Sequence, residues 1–290
     1  MATDKNVDNG MKNYEEESWP STLSGVPTRS LVAPGQCQLT SQFVAVPLLQ
    51  RWDVSSTSSV LRFGPLPNPD SPLNLSTCAC ILAMAHVPHT VIRPYTPIST
   101  NAQVGSFDLL VKDYGETGVM SNYLCKYLQP GHKVMFKHIE FNVKIQAPFP
   151  FTKIAMIVGG TGITPMIQAM HAVLGKESDR YQISMLYGSR TSTDILGKDL
   201  LDVWSSSDSR FSVTHVLSNE LEDSDWDGAR GFINEELITK HFPSPDDASF
   251  KIFVCGPPPM YNALCGPRTQ KELTGLLSRM GYNAKQVFKF

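Results

Sequence analysis

The sequence predicts two domains: a small antiparallel β-barrel over residues 37–148 and a doubly wound parallel α/β sheet over residues 149–290. Three observations predict this division. Short strand-like runs separated by Pro- and Ser-rich turns fill the first region. From about residue 151, strands alternate with helical patterns. Residues 1–36 are polar, rich in Asn, Glu, Ser and Pro, and are predicted to form a flexible tail.

The first region contains strand patterns with little helix between them. Alternating or continuous apolar runs predict strands over residues 59–63, 80–85, 107–111 and 133–137. One helical segment is predicted over roughly 120–128. Several short strands with turn signals between them are typical of a small barrel.

The second region begins with a buried strand pattern over residues 154–158, which leads through a glycine loop into a helix. Thr164 offers an N-cap, Pro165 a first-turn proline, and Gly175 a helix end. Further strands are predicted over 183–187, 211–217 and 251–254, and helices over 196–204, 234–241 and 270–280. This alternation predicts a parallel sheet with helices on both faces.

The composition predicts a globular protein. Apolar residues make up 41% of the chain and charged residues 18%, which suits a packed core. The formal net charge is −2, so the chain lacks the excess of positive charge that binding to nucleic acid requires. No run approaches the ~20 apolar residues of a membrane span, and Ala2 stands where myristoylation needs glycine. We therefore expect a cytoplasmic monomer, with peripheral membrane association left open.

The six cysteines are expected to be reduced thiols, mostly in the core. Cys78 and Cys80 are too close together for a metal-binding pair, and no second pair complements them. No metal site is predicted.

A glycine loop, Gly159-Gly160-Thr161-Gly162, follows the first strand of the second region. At such a strand-to-helix turn, free backbone N–H groups and the helix dipole attract a pyrophosphate, and glycines let the backbone approach it closely. The spacing is not G-x-G-x-x-G. A strand–glycine–helix turn without a ligand therefore stays open as an alternative.

A second strand of the same sheet ends in Cys255-Gly256-Pro257-Pro258-Pro259-Met260. Two strand-end loops at one sheet edge form the crevice where open α/β sheets bind ligands. The small, polarisable thiol of Cys255 suits contact with a flat ring. A buried cysteine before a proline turn is the alternative.

Two segments of the first region also carry suitable groups. Arg93-Pro94-Tyr95-Thr96 offers a bidentate cation for a diphosphate, a flat stacking face and a short hydroxyl, on a run stiffened by proline. Gly118-Val119-Met120-Ser121 precedes the predicted helix, whose N-terminus is a second candidate anion site. The alternatives are a polar loop for the first segment and a simple Ser121 N-cap for the second.

Together these four segments, in this order, resemble the NADH–cytochrome b5 reductase family within the ferredoxin–NADP reductase superfamily. The resemblance covers about residues 38–290 and extends to Gly231-Phe232-Ile233-Asn234-Glu235-Glu236 and to the final Val287-Phe288-Lys289-Phe290. It implies a six-stranded FAD-binding barrel followed by an NAD-binding α/β domain.

The resemblance also implies residue roles. Arg93 would hold the FAD diphosphate, Tyr95 would pack on the isoalloxazine, and Thr96 would hydrogen-bond near flavin N5. Met120 and Ser121 would contact the diphosphate and adenine side. Thr164 would lie by the flavin, Lys112 near flavin and nicotinamide, and Cys255 near the nicotinamide, while residues 159–165 would receive the NAD phosphates. Thr96, Lys112 and Cys255 are the predicted catalytic residues, and the cofactor contacts are completed by Pro94, Leu110, Gly118, Val119, Gly256, Pro257, Pro258 and Met260.

The implied activity is hydride transfer from NADH to FAD, with single electrons passed to a cytochrome b5-like haem protein. NADPH is an alternative donor. Two alternatives stay open for the chain as a whole. One is the same flavin chemistry serving another acceptor, a quinone or a small oxidant. The other is a dinucleotide-binding sensor that has lost flavin.

The chain departs from the family pattern at three places. Residues 137–142 replace a usual Gly-Pro, and residues 77–80 replace a usual Gly-Gln-His. Ser218, followed by Asn219, stands where an acidic residue usually binds the adenine ribose and repels a 2′-phosphate. Glu220 would substitute for that residue if its loop folds back, and Ser189 with Arg190 would suit a 2′-phosphate.

Basic residues cluster in sequence around the late strands of the first region. They predict a docking face for an acidic acceptor, although a solvated lysine face is an equal alternative. The cluster comprises His132, Lys133, Lys137, His138, Lys144 and Lys153.

Overall fold

The computed structural model describes residues 23, 25–139, 145–176 and 180–290. Most of the predicted tail, residues 1–22 and 24, lies outside this part of the chain. So do residues 140–142 of the first departure and Lys144 of the basic cluster.

The first domain is an antiparallel sheet of six strands in the order β4-β3-β6-β1-β2-β5, as its predicted barrel-like architecture requires. Its strands are β1 (Val44–Ser55), β2 (Ser58–Phe63), β3 (Ile81–His86), β4 (Thr90–Tyr95), β5 (Phe107–Lys112) and β6 (Lys133–His138). Strand β1 joins the two halves of the sheet, because its start pairs with β6 and its remainder with β2. Strands β4 and β5 lie at the two edges.

Three phenylalanine rings fill the interior of this sheet. Phe63, Phe107 and Phe136 are fully buried, and their ring centroids lie 4.8–5.7 Å apart in stacked and edge-to-face contacts. They come from β2, β5 and β6, so the curled sheet closes around one apolar centre.

The second domain is a parallel sheet of six strands in the order β10-β9-β8-β7-β11-β12, which confirms the doubly wound prediction. Its strands are β7 (Lys153–Gly159), β8 (Gln182–Ser189), β9 (Phe211–Leu217), β10 (Ala229–Arg230), β11 (Phe250–Cys255) and β12 (Val287–Lys289). The chain's helices are α1 (Val119–Asn122), α2 (Ile163–Leu174), α3 (Lys198–Ser207), α4 (Glu235–His241), α5 (Pro258–Leu264) and α6 (Gly275–Arg279). All but α1 belong to this domain.

Helix boundaries differ from the sequence-based predictions in four places. Helix α3 spans Lys198–Ser207 instead of residues 196–204. Helix α2 begins at Ile163 with Gly162 as its cap, so Thr164 lies inside the first turn and its hydroxyl donates to Thr161 O at 3.2 Å. The segment predicted as a helix over 120–128 divides into α1 and a π-helical turn, Tyr123–Tyr127. Helix α6 has five residues instead of the eleven predicted over 270–280. Gly275, with φ +74°, marks its late start.

The described end of the predicted tail packs against both domains. The Trp204 indole of α3 donates to Gly25 O at 2.9 Å, and Thr28 N donates to Nδ1 of His171 in α2 at 3.0 Å. Asn101 Nδ2 of the first domain donates to Ser30 O at 3.3 Å. Residues 25–30 therefore form a strap across both domains, which differs from a tail free up to residue 36.

Side chains also join the two domains directly. Gln168 of α2 donates to Pro97 O at 2.9 Å and to Ser99 O at 2.6 Å, and Cys78 Sγ donates to Pro165 O at 3.2 Å. These contacts place the N-terminal end of α2 against the first domain.

Within the described residues, no helix has the length and apolar character needed to cross a membrane. The same residues contain no group of three or more His, Cys, Asp or Glu side chains arranged to hold a metal ion.

Candidate functional site

Both edge strands of the first sheet end at one cleft. Strand β4 brings residues 93–95, and the following chain brings Thr96. Strand β5 brings Leu110 and Lys112, and α1 follows it. The carboxyl ends of β7, β8, β9 and β11 face the same cleft from the parallel sheet, as expected for a ligand crevice in such folds.

The cleft has a volume of about 1470 Å³. Such a volume is larger than the 300–1,000 Å³ typical of a drug-sized ligand site, so it suits a long ligand or two ligands. Apart from the buried Ile163, every residue that the sequence assigned to catalysis or cofactor binding lines it, namely residues 93–96, 110, 112, 118–121, 159–162, 164, 165, 255–258 and 260. The tertiary structure thus gathers segments that are up to 167 positions apart in the chain (93 to 260).

The glycine loop is packed so closely that side chains would not fit on one of its sides. A Cβ at Gly162 would lie 2.0 Å from Cys255 O, and one at Gly159 would lie 2.8 Å from the Pro257 ring. Gly160 adopts φ +52° and has nothing within 4 Å of its own Cβ position. One side of the loop therefore packs against the Cys255 turn, while the backbone of Gly160 is open on its other side. A phosphate-binding loop needs this arrangement.

Tyr187, at the end of β8, supports this loop from beneath. Its fully buried hydroxyl donates to Gly160 O at 3.0 Å and lies 3.5 Å from Leu196 O. Burial raises the pKa of Tyr187 above its ordinary value, so the hydroxyl stays a neutral donor. The loop is therefore positioned before any ligand binds.

Arg93 and Tyr95 provide the cation and the flat ring on the opposite side of the cleft. The exposed Arg93 guanidinium donates to Ile92 O at 2.8 Å and pairs with no carboxylate among the described residues. Burial raises the pKa of Tyr95, which keeps its ring neutral. A cation without a protein counter-ion, beside a neutral aromatic face, fits the diphosphate and the ring of FAD.

The Gly118–Ser121 segment faces this cation. Gly118 caps α1, and the Ser121 hydroxyl donates back to Gly118 O at 2.9 Å. The alternative of a Ser121 N-cap is therefore wrong, because Ser121 lies inside the helix and accepts no hydrogen bond from its amides. A Cβ at Gly118 would lie 2.5 Å from Ser121 Oγ and 2.7 Å from Tyr114 Cβ, so a larger residue at the start of α1 would displace its neighbours.

Cys255 lies at the end of β11, half buried at the centre of the cleft. No histidine lines the cleft among the described residues, so no imidazole base lies beside the thiol. Behind it, the Tyr261 hydroxyl lies 3.0 Å from Val254 O and 2.8 Å from Phe290 O. This contact fixes the C-terminal phenylalanine at the cleft wall.

The structure adds cleft residues that sequence reasoning missed. Tyr114 and Asp194 both reach across it: the Tyr114 hydroxyl lies 3.1 Å from Thr161 Oγ1, and Asp194 Oδ1 lies 2.7 Å from Lys112 Nζ. Phe232 and Phe290 also line it. The available signal was position, because Tyr114 and Asp194 follow the ends of strands that already carried predicted site residues.

The sequence left open whether Glu220 would take the place of the usual acidic residue, and Glu220 does not line the cleft. Its carboxylate accepts from Ser192 N at 2.6 Å and from Ser192 Oγ at 3.2 Å, contacts that lower its pKa. Ser218 and Arg190 line the cleft instead. The position of the usual acidic residue is therefore held by a neutral hydroxyl beside an arginine.

The basic cluster is only partly available. Lys153 pairs with Asp247 at 2.8 Å, and the Lys137 ammonium lies 4.9 Å from the centre of the Phe43 ring. Lys133 is exposed at the start of β6. Of the four predicted lysines, Lys144 lies outside the described residues and Lys153 is paired. Lys133 and Lys137 have no carboxylate partner among the described residues.

Comparisons with known proteins agree with this geometry. The Oxidoreductase FAD-binding domain family matches residues 45–143, and the Oxidoreductase NAD-binding domain family matches residues 156–266. The chain is 38% identical over 255 residues to NADH-cytochrome b5 reductase 2 of Scheffersomyces stipitis, covering 86% of this chain and 84% of the relative. It is 38% identical over 256 residues to NADH-cytochrome b5 reductase 2 of Yarrowia lipolytica, covering 86% of each.

A solved structure shows the same fold. The cytochrome b5 reductase domain of Ulva prolifera nitrate reductase superimposes with a TM-score of 0.73 at 27% identity, covering 88% of this chain and all of that domain. The fold, the cleft and these relatives agree, and the chain belongs to the NADH-cytochrome b5 reductase family, with an FAD-binding domain followed by an NAD-binding domain.

Proposed function

We propose that this protein is an FAD-dependent oxidoreductase that oxidises NADH and passes electrons to a cytochrome b5-like haem protein. One observation carries the proposal: a single cleft is lined on one side by the Arg93 edge of the FAD-binding domain and on the other by the glycine loop of the NAD-binding domain. Two dinucleotides bound to these two sides would meet within one cleft, as hydride transfer requires.

The proposed roles follow from placement. Arg93 and the start of α1 hold the FAD diphosphate, Tyr95 packs against the flavin ring, and Thr96 offers its hydroxyl near flavin N5. These groups lie on β4 and after β5, the two edges of one sheet. The protein fixes their positions, and the chemistry that FAD supplies when bound is acceptance of a hydride and release of electrons one at a time, which a haem acceptor needs.

The NAD-binding side is proposed on the same basis. The open backbone of Gly160 receives the NADH phosphates, supported by the Tyr187 hydroxyl at 3.0 Å. Cys255 packs against the nicotinamide without acting as a nucleophile. Thr164 would lie by the flavin, with its hydroxyl held on Thr161 O at 3.2 Å.

The nature of the acceptor is proposed from the relatives, which are named NADH-cytochrome b5 reductase 2. A quinone or small oxidant is the competing acceptor. We also propose the domain division at residues 37–148 and 149–290, a monomeric state and a cytoplasmic location. Sedimentation of the purified protein would test the monomer.

Rapid-mixing kinetics of the purified protein test the function. We expect a yellow protein with one FAD per chain that is bleached by NADH and then re-oxidised by cytochrome b5 with a higher kcat/KM than by a quinone. A colourless protein that still binds NADH would support the sensor alternative. Faster turnover with the quinone would reassign the acceptor and leave the flavin chemistry intact.

A further inference from the structure

One ion pair joins the two domains inside the cleft. Lys112 Nζ, at the end of β5, lies 2.7 Å from Asp194 Oδ1 in the loop after β8. Both residues line the cleft, and their side chains are 15% and 21% exposed. Among the described residues, no other salt bridge connects the two sheets' domains. The pair therefore spans the cleft from the first domain to the second.

Asp194 is held in place by its own loop. It ends the short turn Ser192–Asp194, in which Asp194 N donates to Thr191 O at 3.0 Å. The Thr191 hydroxyl donates to Asp194 Oδ2 at 3.3 Å, which leaves Oδ1 for the lysine. The start of the turn is fixed by Glu220, which accepts from Ser192 N and Ser192 Oγ. The carboxylate is thus a preorganised acceptor.

Lys112 has the opposite character. Its ammonium ends a flexible four-carbon chain, which costs considerable rotamer entropy to order. The contact with Asp194 already orders that chain in the structure and uses one of the three ammonium donors. A lysine held in this way meets NADH with its other donors oriented, so binding loses less entropy.

We infer that Asp194 is a positioning residue, which holds the Lys112 ammonium across the cleft so that it is ready for the incoming dinucleotide. The inference rests on the proposed NADH oxidation. Asp194 acts through Lys112. The pair carries no net charge, because the ammonium of Lys112 compensates the carboxylate of Asp194.

A double-mutant cycle separates this role from a general effect on folding. The variants are Asp194→Asn, Lys112→Met and the double variant, each purified with FAD. The dissociation constant for NAD⁺ is measured by calorimetry, and KM and kcat for NADH are measured with ferricyanide as acceptor. These constants are measured at high ionic strength. Salt screens the long-range attraction that Lys112 would exert on an anionic ligand once Asp194 no longer compensates its charge. Asp199→Asn, an exposed aspartate in the first turn of α3, is the matched control.

We expect Asp194→Asn to raise both the dissociation constant and KM about fivefold while kcat stays within about twofold. In the Lys112→Met background, where Lys112 no longer compensates the Asp194 carboxylate, the same change should not weaken binding, and Asp199→Asn should change nothing. Equal weakening by Asp194→Asn in both backgrounds, unchanged binding or tighter binding would overturn the inference. A native protein that neither binds NAD⁺ nor oxidises NADH would overturn the proposed function and this inference with it, whereas normal native turnover without coupling overturns the inference alone.

Discussion

Single side chains in the cleft divide the work between binding and orientation. Arg93 is an exposed cation on the first-domain side, Cys255 is a half-buried thiol on the second-domain side, and Ser218 lines the cleft after β9. The surroundings of the three side chains differ. Arg93 has no carboxylate partner among the described residues, and no histidine among them lines the cleft beside Cys255. Ser218 is uncharged. These differences lead to three separate predictions.

Arg93→Ala should release FAD, because it removes the guanidinium proposed to neutralise the diphosphate. The ratio of flavin to protein absorbance in the purified variant measures this, and we expect it to fall at least about tenfold below that of the native protein. The melting temperature should fall with it, since bound cofactor stabilises the native state by mass action. Arg279→Ala, at the exposed end of α6, is the control. Full retention of FAD by the Arg93 variant would refute the assignment.

Cys255→Ser should slow the reduction of bound flavin by NADH about tenfold and leave FAD bound, because the thiol is proposed to pack beside the nicotinamide and a small shift of that ring costs rate. Single-turnover absorbance changes give the rate. Cys37→Ser, in the first domain and outside the cleft, is the control. Complete inactivation together with a covalent substrate adduct on the native thiol would contradict a positioning role.

Ser218→Asp should increase the preference for NADH over NADPH by about ten- to a hundredfold, through one hydrogen bond to the ribose and one repulsion of the 2′-phosphate. The native protein should discriminate less than its family usually does, because Glu220 is bound to Ser192 and Arg190 lines the cleft. The measurement is kcat/KM for both donors, with Ser206→Asp, exposed on α3, as control. Native rejection of NADPH by several orders of magnitude, unchanged in Ser218→Asp, would place the preference elsewhere.

Among the elements, the strap over residues 25–30 and helix α2 depend on each other. His171 of α2 is buried, its Nδ1 accepts from Thr28 N at 3.0 Å, and its ring packs edge-on against Trp204 at 4.9 Å. An imidazole that accepts at Nδ1 must be unprotonated there. Docking of the strap on α2 therefore requires the neutral ring, and acid should oppose it.

Burial lowers the pKa of His171 to about 4 from an ordinary value of 6.5. The unfolded chain therefore binds this proton first, so the stability due to the neutral ring is complete above pH 6.5 and is lost as pH falls toward 4. We expect a loss of about 2–3 kcal/mol in the free energy of unfolding between pH 7 and pH ~4.5 from this group.

Urea unfolding of the native protein and of His171→Asn at these two pH values measures the loss. Between these pH values, the free energy of unfolding of His171→Asn should fall by about 2–3 kcal/mol less than that of the native protein, whatever the absolute stability of the variant. His89→Asn, exposed in the turn between β3 and β4, should retain the full decrease. Parallel pH profiles for the native protein and His171→Asn would show that this histidine does not set the acid sensitivity.

For the whole molecule, the relation between the two sheets decides what the protein can do. Edge strands of the antiparallel sheet and strand ends of the parallel sheet meet at one cleft, and the strap and Gln168 tie the two domains beside it. The first domain also presents Lys133 and Lys137 on β6. A cationic face on the flavin-binding domain suits an acidic acceptor, because charge complementarity raises association rates.

Reduction of an acidic cytochrome b5 should therefore slow roughly tenfold in kcat/KM between low and high ionic strength. Lys133→Glu should lower the low-salt rate and reduce the salt dependence, whereas Lys240→Glu, exposed at the end of α4 in the other domain, should have little effect. Stopped-flow rates of haem reduction across a salt series measure both. Rates that stay flat with salt would remove the electrostatic docking face.

The sequence by itself determined the two architectures and most of the cleft residues, because these depend on local patterns, and its motifs together indicated the family through their resemblance. Alternation at period two, the strand–glycine–helix turn and the Cys255 turn are each readable within about ten residues. Even α4 was readable, since Asn234 caps it by accepting from Leu237 N at 3.0 Å. Strand β1 and the strand that carries Arg93 were missed, because a twelve-residue strand with charged positions and a strand containing proline break the usual pattern.

Only the tertiary structure decided which distant groups meet. Lys112 and Asp194 are 82 positions apart, Thr28 and His171 are 143 apart, and nothing local to any of them specifies the partner. Glu220 shows the same limit: the sequence left open whether its loop folds back, and its hydrogen bond to Ser192 depends on where two loops of neighbouring strands end in space. Contacts of this kind follow from how the two sheets pack, and packing is a property of the whole chain.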